Sequence, residues 1–340
     1  NLNLGAVGNT SNVLIDTSAP TATNITRVDA SPNNSGSVSF TVTFSENVGN
    51  VDASDFSLAF GGSASGRIES VTTTDGRTYS VKVSGLVGTG SVRLDLKAGT
   101  DIADAAGNRV VAGRVGDSYS IDRDVPSVTR VGVPANGSYV AGQNLDFTVS
   151  LSEAVQLDTG NGTPRIAVTL DDGTVAYATY LSGAGTNALV FRMIVANGQL
   201  DTNGVALGNS IQLNGATLRD AVGNDVNLAL NNVASTTGVL VDAVAPVIES
   251  VTVPGAGSYK VGDVLAFTVN ASEALLLGPM APRLALDVGG ITRYATYVSG
   301  NGSAALVFEY VVQAGDTDAN GIALAGLDLR GETLTDFAGN

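Results

Sequence analysis

Hydrophobic and polar residues alternate one for one along much of the chain. Val38, Phe40, Val42 and Phe44 alternate with Ser39, Thr41, Thr43 and Ser45, and Leu145, Phe147, Val149 and Leu151 are spaced in the same way. A period of two puts the apolar side chains on one face of a strand, so these stretches predict half-buried β-strands. Gly and Asn bound the runs, and no window has the 3.6-residue spacing of an amphipathic helix. The expected fold class is all-β.

The strands belong to a repeat. Asp16-Thr-Ser-Ala-Pro20, Asp122-Arg-Asp-Val-Pro126 and Asp242-Ala-Val-Ala-Pro246 are versions of one segment. Each is followed by two apolar strands, the second ending in Phe44-Ser-Glu46, Leu151-Ser-Glu153 or Ala271-Ser-Glu273. A third landmark reads Asp104-Ala-Ala-Gly-Asn108, Asp220-Ala-Val-Gly-Asn224 and Asp336-Phe-Ala-Gly-Asn340. Three landmarks in constant order predict three homologous domains of about seven strands, each a two-sheet sandwich with its own core. For the second repeat, strands A to G are expected near 127–133, 144–152, 165–170, 175–181, 188–195, 210–218 and 226–241.

The chain ends are out of phase with this repeat. Residues Leu2 to Asp16 resemble Leu228 to Asp242, so 1–16 read as the terminal G strand of a preceding or neighbouring domain. Domain one is then 17–122, domain two 123–242 and domain three 243–340, the last without a G strand of its own. Three explanations remain open: a fragment of a longer array, one period of such an array, or a subunit whose residues 1–15 complete the third domain of the next copy. In the last case Leu2, Leu4, Val13, Leu14 and Ile15 carry the donated strand.

Composition narrows the chemistry. The 340 residues include no Cys, no His and no Trp, which excludes a Cys or Ser-His nucleophile, the usual zinc sites and disulfides. Asp plus Glu total 32 against 17 Lys plus Arg, for a formal net charge of −15. That balance repels nucleic acid and anionic membranes and favours hard cations. No run approaches the roughly 18 apolar residues of a membrane helix, so no membrane insertion is expected within this segment.

Strand direction assigns the acids to a place. If consecutive strands alternate in direction, the Asp before strand A, the Glu after B and the Asp-x-x-Gly-Asn loop after F meet at one pole of each domain. Several carboxylates without a base repel one another unless a cation neutralises them, and calcium takes six to eight oxygens of this kind. The expected ligand sets are Asp16, Glu46, Asp104 and Asn108; then Asp122, Asp124, Glu153, Asp220 and Asn224; then Asp242, Glu273, Asp336 and Asn340. The competing reading is ordinary Asp and Asn turns.

A second candidate metal loop is Asp316-Thr-Asp318-Ala-Asn320-Gly321, echoed by Asp201 and Asn203 in repeat two. It fits the first half of an EF-hand loop, but Leu327 stands where a bidentate Glu is required. The pairs Tyr177/Tyr180 and Tyr294/Tyr297 suggest either packing or a sugar platform. Paired carboxylates can hydrolyse glycosides, but that chemistry needs a cleft and a raised-pKa acid, whereas these acids sit in repeated turns. No enzymatic activity is expected.

Taken together, the Asp-x-x-x-Pro segment, the Ser-Glu after strand B, the Asp-x-x-Gly-Asn loop and the Val-Leu-Ile/Val-Asp ending resemble the bacterial immunoglobulin-like repeats of giant surface adhesins and biofilm-matrix or extracellular filament proteins. The resemblance implies cadherin-like tandem immunoglobulin-like sandwiches in an elongated array, calcium at the junctions, and export to the bacterial surface or medium. It further implies a role in adhesion or extracellular architecture. Expected partners are neighbouring domains of the same protein, identical subunits, or a host or matrix receptor.

Overall fold

The computed structural model describes residues 13–340, so the donor-strand candidates Leu2 and Leu4 lie outside the described residues. Two compact units are present. Among the described residues, the first comprises 13–127, Glu153–Gln156 and Leu218–Asn227, and the second comprises Val128–Ser152, Leu157–Thr217 and Leu228–Asn340. The fold is all-β, with no α-helix among the described residues.

Seven strands build the first unit: β1 (Ala22–Arg27), β2 (Ser37–Phe44), β3 (Phe56–Gly62), β4 (Ser65–Thr73), β5 (Thr78–Val87), β6 (Gly90–Leu96) and β7 (Arg114–Ile121). They form a four-stranded sheet in the order β1-β2-β5-β4 and a three-stranded sheet β3-β6-β7, the four-plus-three arrangement of an immunoglobulin sandwich. The period-two pattern explains the core. Val38 pairs with Val83, Phe40 with Val81 and Val42 with Tyr79, so one face of β2 and β5 is wholly apolar and buried. Tyr119 of β7 closes the sandwich: its ring meets Phe40 edge-on, with centroids 5.1 Å apart. Its hydroxyl accepts from Val28 N and Asp29 N at 2.8 Å and donates to Ser39 O at 2.7 Å. A buried hydroxyl is thereby satisfied, and the two sheets are tied together.

The second unit contains repeat three and all of repeat two except 123–127, 153–156 and 218–227. In repeat two, β8 (Val128–Gly132), β9 (Gly137–Tyr139) and β10 (Asn144–Leu151) are followed by Arg165–Thr169, Val175–Ser182 and Ala188–Ile194, and all but β9, which falls in no expected span, lie within a few residues of theirs. The long sheet runs from β8 through β10, Ala188–Ile194 and Val175–Ser182 to Arg165–Thr169. Repeat three has the same order in Ile248–Thr252, Val264–Leu277, Ser303–Val311, Ile291–Ser299 and Arg283–Val288.

Repeats two and three share an arrangement that differs from that of the first sandwich. Their third strand forms a hairpin with the fourth, Ile166 opposite Ala178 and Leu284 opposite Ala295, while its other edge pairs with Ala206–Leu207 or Ala323–Asp328. It therefore belongs to the long sheet, whereas β3 pairs with β6 in the opposite sheet. Strands F and G of repeat two are also not continuous. They are linked by bridges such as Ser210 opposite Ala229, and the only continuous stretch of 226–242 is Val239–Asp242. Asn214 (φ 52°) and Asn232 (φ 49°) adopt the left-handed conformation, which breaks a ladder.

Val239–Asp242 lies parallel to β9, with Val239 opposite Gly137 and Val241 opposite Tyr139, and antiparallel to Leu200–Asp201. Val239 and Val241 are fully buried. In repeat three the corresponding segments, Gly257–Tyr259 and Thr317–Asp318, form no strand, and among the described residues no strand lies between them.

Candidate metal centres

Three carboxylate clusters stand out: Asp16 with Glu46 and Asp104, Asp122 with Glu153 and Asp220, and Asp242 with Glu273 and Asp336. In each, one oxygen per residue lies within 4.8 Å of the others. The expected convergence of strand ends is met, although the connectivity of the first sandwich is not a simple up-and-down meander. Because β2 pairs with β5 and β3 with β6, neighbours in space differ from neighbours in sequence. Direction still alternates from strand to strand, and direction alone decides which ends share a pole.

Each member of a cluster has a local reason for its position. The leading Asp follows the last buried residue of a strand, Ile121 before Asp122 and Val241 before Asp242. The Glu follows a Ser that anchors the start of strand A: Ser45 Oγ accepts from Thr21 N at 3.0 Å, and Ser272 Oγ accepts from Val247 N at 3.0 Å. The third acid organises its own loop. Asp220 Oδ1 accepts from Val222 N, Gly223 N and Asn224 N at 2.9, 2.7 and 2.8 Å. Asp104 and Asp336 accept from the Asn four residues on in the same way, both at 2.9 Å. Such a tight ring requires a positive φ at the Gly before the Asn, and Gly107, Gly223 and Gly339 adopt 92°, 98° and 99°.

The Asn side chains enter as donors. Nδ2 of Asn108, Asn224 and Asn340 donates to Oδ2 of Asp104, Asp220 and Asp336 at 2.8, 2.6 and 2.9 Å. Each also donates to the backbone carbonyl of the leading Asp: Asp16 O at 3.1 Å, Asp122 O at 3.1 Å and Asp242 O at 2.8 Å. Through Nδ2 the Asn therefore clamps the loop to the segment that carries the leading Asp, while the Asn224 Oδ1 accepts from Asn34 Nδ2 at 3.3 Å. Asp124 stands apart from the grouped oxygens, its N–H donating to Asp122 Oδ1 at 3.2 Å.

The electrostatics are those of unpaired acids. Among the described residues, none of the nine clustered carboxylates takes part in an ion pair. Burial, followed by repulsion from Asp122, Asp220 and Asp124, pushes the Glu153 carboxyl above its ordinary value. Glu273 is raised by burial and then by Asp336 and Asp242. Asp104 is held low by the Asn108 side-chain hydrogen bond. For Asp336 burial opposes ionisation, but the hydrogen bonds from Asn340 and the loop N–H groups prevail and lower it. Grouped hard oxygens without a base fit a divalent cation such as calcium.

The second candidate loop is not gathered. Asp316 accepts from Arg293 Nε at 3.0 Å and Nη2 at 2.9 Å, from Gln313 N at 2.8 Å, and from the Tyr310 hydroxyl. Its charge is met by a guanidinium. Asp318 accepts from Asn320 N, Gly321 N and Gly289 N, and Asp201 from Gly204 N. Among the described residues, none of these acids belongs to a metal-sized group of three or more carboxylates. The tyrosine pairs are packing features: Tyr180 and Tyr297 meet Phe191 and Phe308 edge-on, and Arg165 and Arg283 lie 3.8 and 3.6 Å over the rings of Tyr177 and Tyr294. Sequence reasoning missed the Arg293–Asp316 pair because no local motif joins residues so far apart.

No protein-family model and no curated protein sequence matches the chain. Among solved structures, the Escherichia coli adhesin FdeC is 13% identical over 92% of this chain and 96% of that chain, with a TM-score of 0.31. A marsupial T cell receptor is 13% identical over 93% of this chain and 98% of its own, with a TM-score of 0.29. The N-terminal part of the bacterial S-layer protein SbsC is 15% identical over 51% and 43%, with a TM-score of 0.21.

Proposed function

We propose that this chain is a structural or adhesive segment of a bacterial surface or matrix protein, a rod of immunoglobulin-like repeats whose junctions are stiffened by calcium. The single observation that carries the reading is the threefold recurrence of an unpaired three-carboxylate cluster at equivalent positions. The second and third clusters combine the end of one repeat's last strand, at Asp122 and Asp242, with two loops of the next, so neutralising them couples consecutive repeats. Bound calcium supplies positive charge. The acids hold it, and the Asn clamp and Gly turn keep the acids in place. Repetition of the same centre suits a mechanical role better than a catalytic one. Neighbouring repeats are the immediate partners, and a matrix or host receptor is the further one.

Calorimetric titration of the calcium-free chain tests the reading. Saturation at three ions per chain, accompanied by a rise in melting temperature, is expected. Failure to bind calcium at millimolar concentration, with magnesium equally inert, overturns it.

A further inference from the structure

The loop between β1 and β2 of repeat one touches a loop of repeat two. Asn33 is bridged in parallel to Ile121: its N–H donates to Ser120 O at 2.9 Å, and its carbonyl accepts from Asp122 N at 3.0 Å. Asn33 Oδ1 accepts from Ser35 N at 2.6 Å, and Arg123 Nη1 donates to Asn34 O at 2.7 Å. The backbone on both sides of the Asn34 side chain is therefore tied down. That side chain meets the Asp220 loop: its Nδ2 donates to Asn224 Oδ1 at 3.3 Å and lies 3.5 Å from where a Cβ on Gly223 would stand. All of these residues belong to the first compact unit, which takes in Glu153–Gln156 and Leu218–Asn227 of repeat two.

Asn224 is thereby held at both ends of its amide. Nδ2 faces Asp122 O and Asp220 Oδ2, and Oδ1 faces Asn34. An amide that serves two acceptors with its NH₂ and one donor with its oxygen has a single satisfactory orientation. The Asp220 loop is fastened to repeat one by amides and a guanidinium, and none of these groups needs a metal ion.

The corresponding positions between repeats two and three carry no such groups. Tyr139 pairs with Val241 as Asn33 pairs with Ile121, so Val140 stands in the place of Asn34 and Ala243 in that of Arg123. Neither side chain has a polar atom. Ala243 is instead bound back to its own repeat, its N–H donating to Gln199 O at 2.8 Å and its carbonyl accepting from Gly198 N at 2.7 Å. Asn340, the counterpart of Asn224, keeps its Nδ2 bonds to Asp242 O and Asp336 Oδ2, but the side chain at position 140 has nothing to donate to its Oδ1.

We propose that Asn34 and Arg123 form a direct interface that holds the junction of repeats one and two without a metal ion. The junction of repeats two and three has only the Asn340 clamp and its carboxylate cluster. The inference rests on the reading of the chain as a rod of repeats, but not on calcium. One hydrogen bond of ordinary strength biases a closed arrangement about fivefold. Loss of calcium should then loosen the rod at one junction and spare the other.

The absence of cysteine lets spin labels be placed freely. One preparation of the full chain is labelled at Thr72→Cys and Thr179→Cys, exposed positions in repeats one and two. Another is labelled at Thr179→Cys and Thr296→Cys, the latter exposed in repeat three. Distance distributions are recorded by double electron–electron resonance in a calcium chelator. The first pair should give about half the width of the second or less. Asn34→Ala should widen the first pair and leave the second unchanged. The isosteric Asn34→Asp, which loses the donor and keeps the shape, should do the same. Equal widths in the unsubstituted chain overturn the proposal, as does a first pair that stays narrow in both Asn34 variants. Because the chelator is present throughout, a chain that binds no calcium in titration leaves these outcomes intact, so failure of the calcium reading and failure of this interface are told apart.

Discussion

At the scale of single residues, an Asp-x-x-Gly-Asn loop uses both oxygens of its Asp for different purposes. One ties the loop N–H groups together, and the other receives the Asn that reaches the preceding strand. The neighbouring Glu makes no such bonds, and burial first, then repulsion from the surrounding Asp residues, raises Glu153 and Glu273. Glu273→Gln should therefore reduce calorimetric stoichiometry from three ions to two and leave the calcium-free melting temperature unchanged or slightly higher. Asn224→Ala acts differently: it strands Asp122 O and Asp220 Oδ2 and should cost about 1–2 kcal/mol in chemical denaturation even without calcium. The repeated acids were legible because three copies align. The role of the Asn was not, since an amide offers both a donor and an acceptor and only the folded loop decides which is used.

At the scale of strands and loops, two polar anchors fix the sandwiches. Tyr119→Phe removes the acceptor of Asp29 N and one of the two acceptors of Val28 N, which keeps Ser39 O at 3.1 Å, and should destabilise the first unit by roughly 1–3 kcal/mol in urea unfolding. In repeat three, Asp316 is held below its ordinary value, first by the Tyr310 hydroxyl and then by Gln313 N and Arg293. Tyr310 is pushed up to about 12, first by burial and then by its hydrogen bond to Asp316. Because the folded carboxyl is the stronger acid, its contribution is present above the unfolded value of 3.8 and is lost as pH falls through the lower folded value. Asp316→Asn should remove that part of the acid sensitivity of repeat three, read as a smaller difference in stability between pH 5 and pH 3. Strands A to E were readable because alternation survives wherever one face is buried. The sheet membership of the third strand was not, because either edge partner satisfies the same alternation. The E–F loop misled because its charge is answered by Arg293 from a distant strand.

At the scale of the whole molecule, the acidic balance has two components. Nine of the 32 acidic residues sit in three unpaired clusters, while others are paired with Arg or Lys as Asp146 is with Arg192 and Asp263 with Lys260. Only the unpaired set should make the properties of the chain depend on a divalent cation. The most direct measurement is small-angle scattering of the full chain in calcium and after chelation, with a variant carrying Glu46→Gln, Glu153→Gln and Glu273→Gln as reference. The account predicts that chelation broadens the distribution of maximum dimensions and that the variant is insensitive to calcium. Superimposable scattering of the native chain with and without calcium, in the presence of bound ions confirmed by titration, would contradict it.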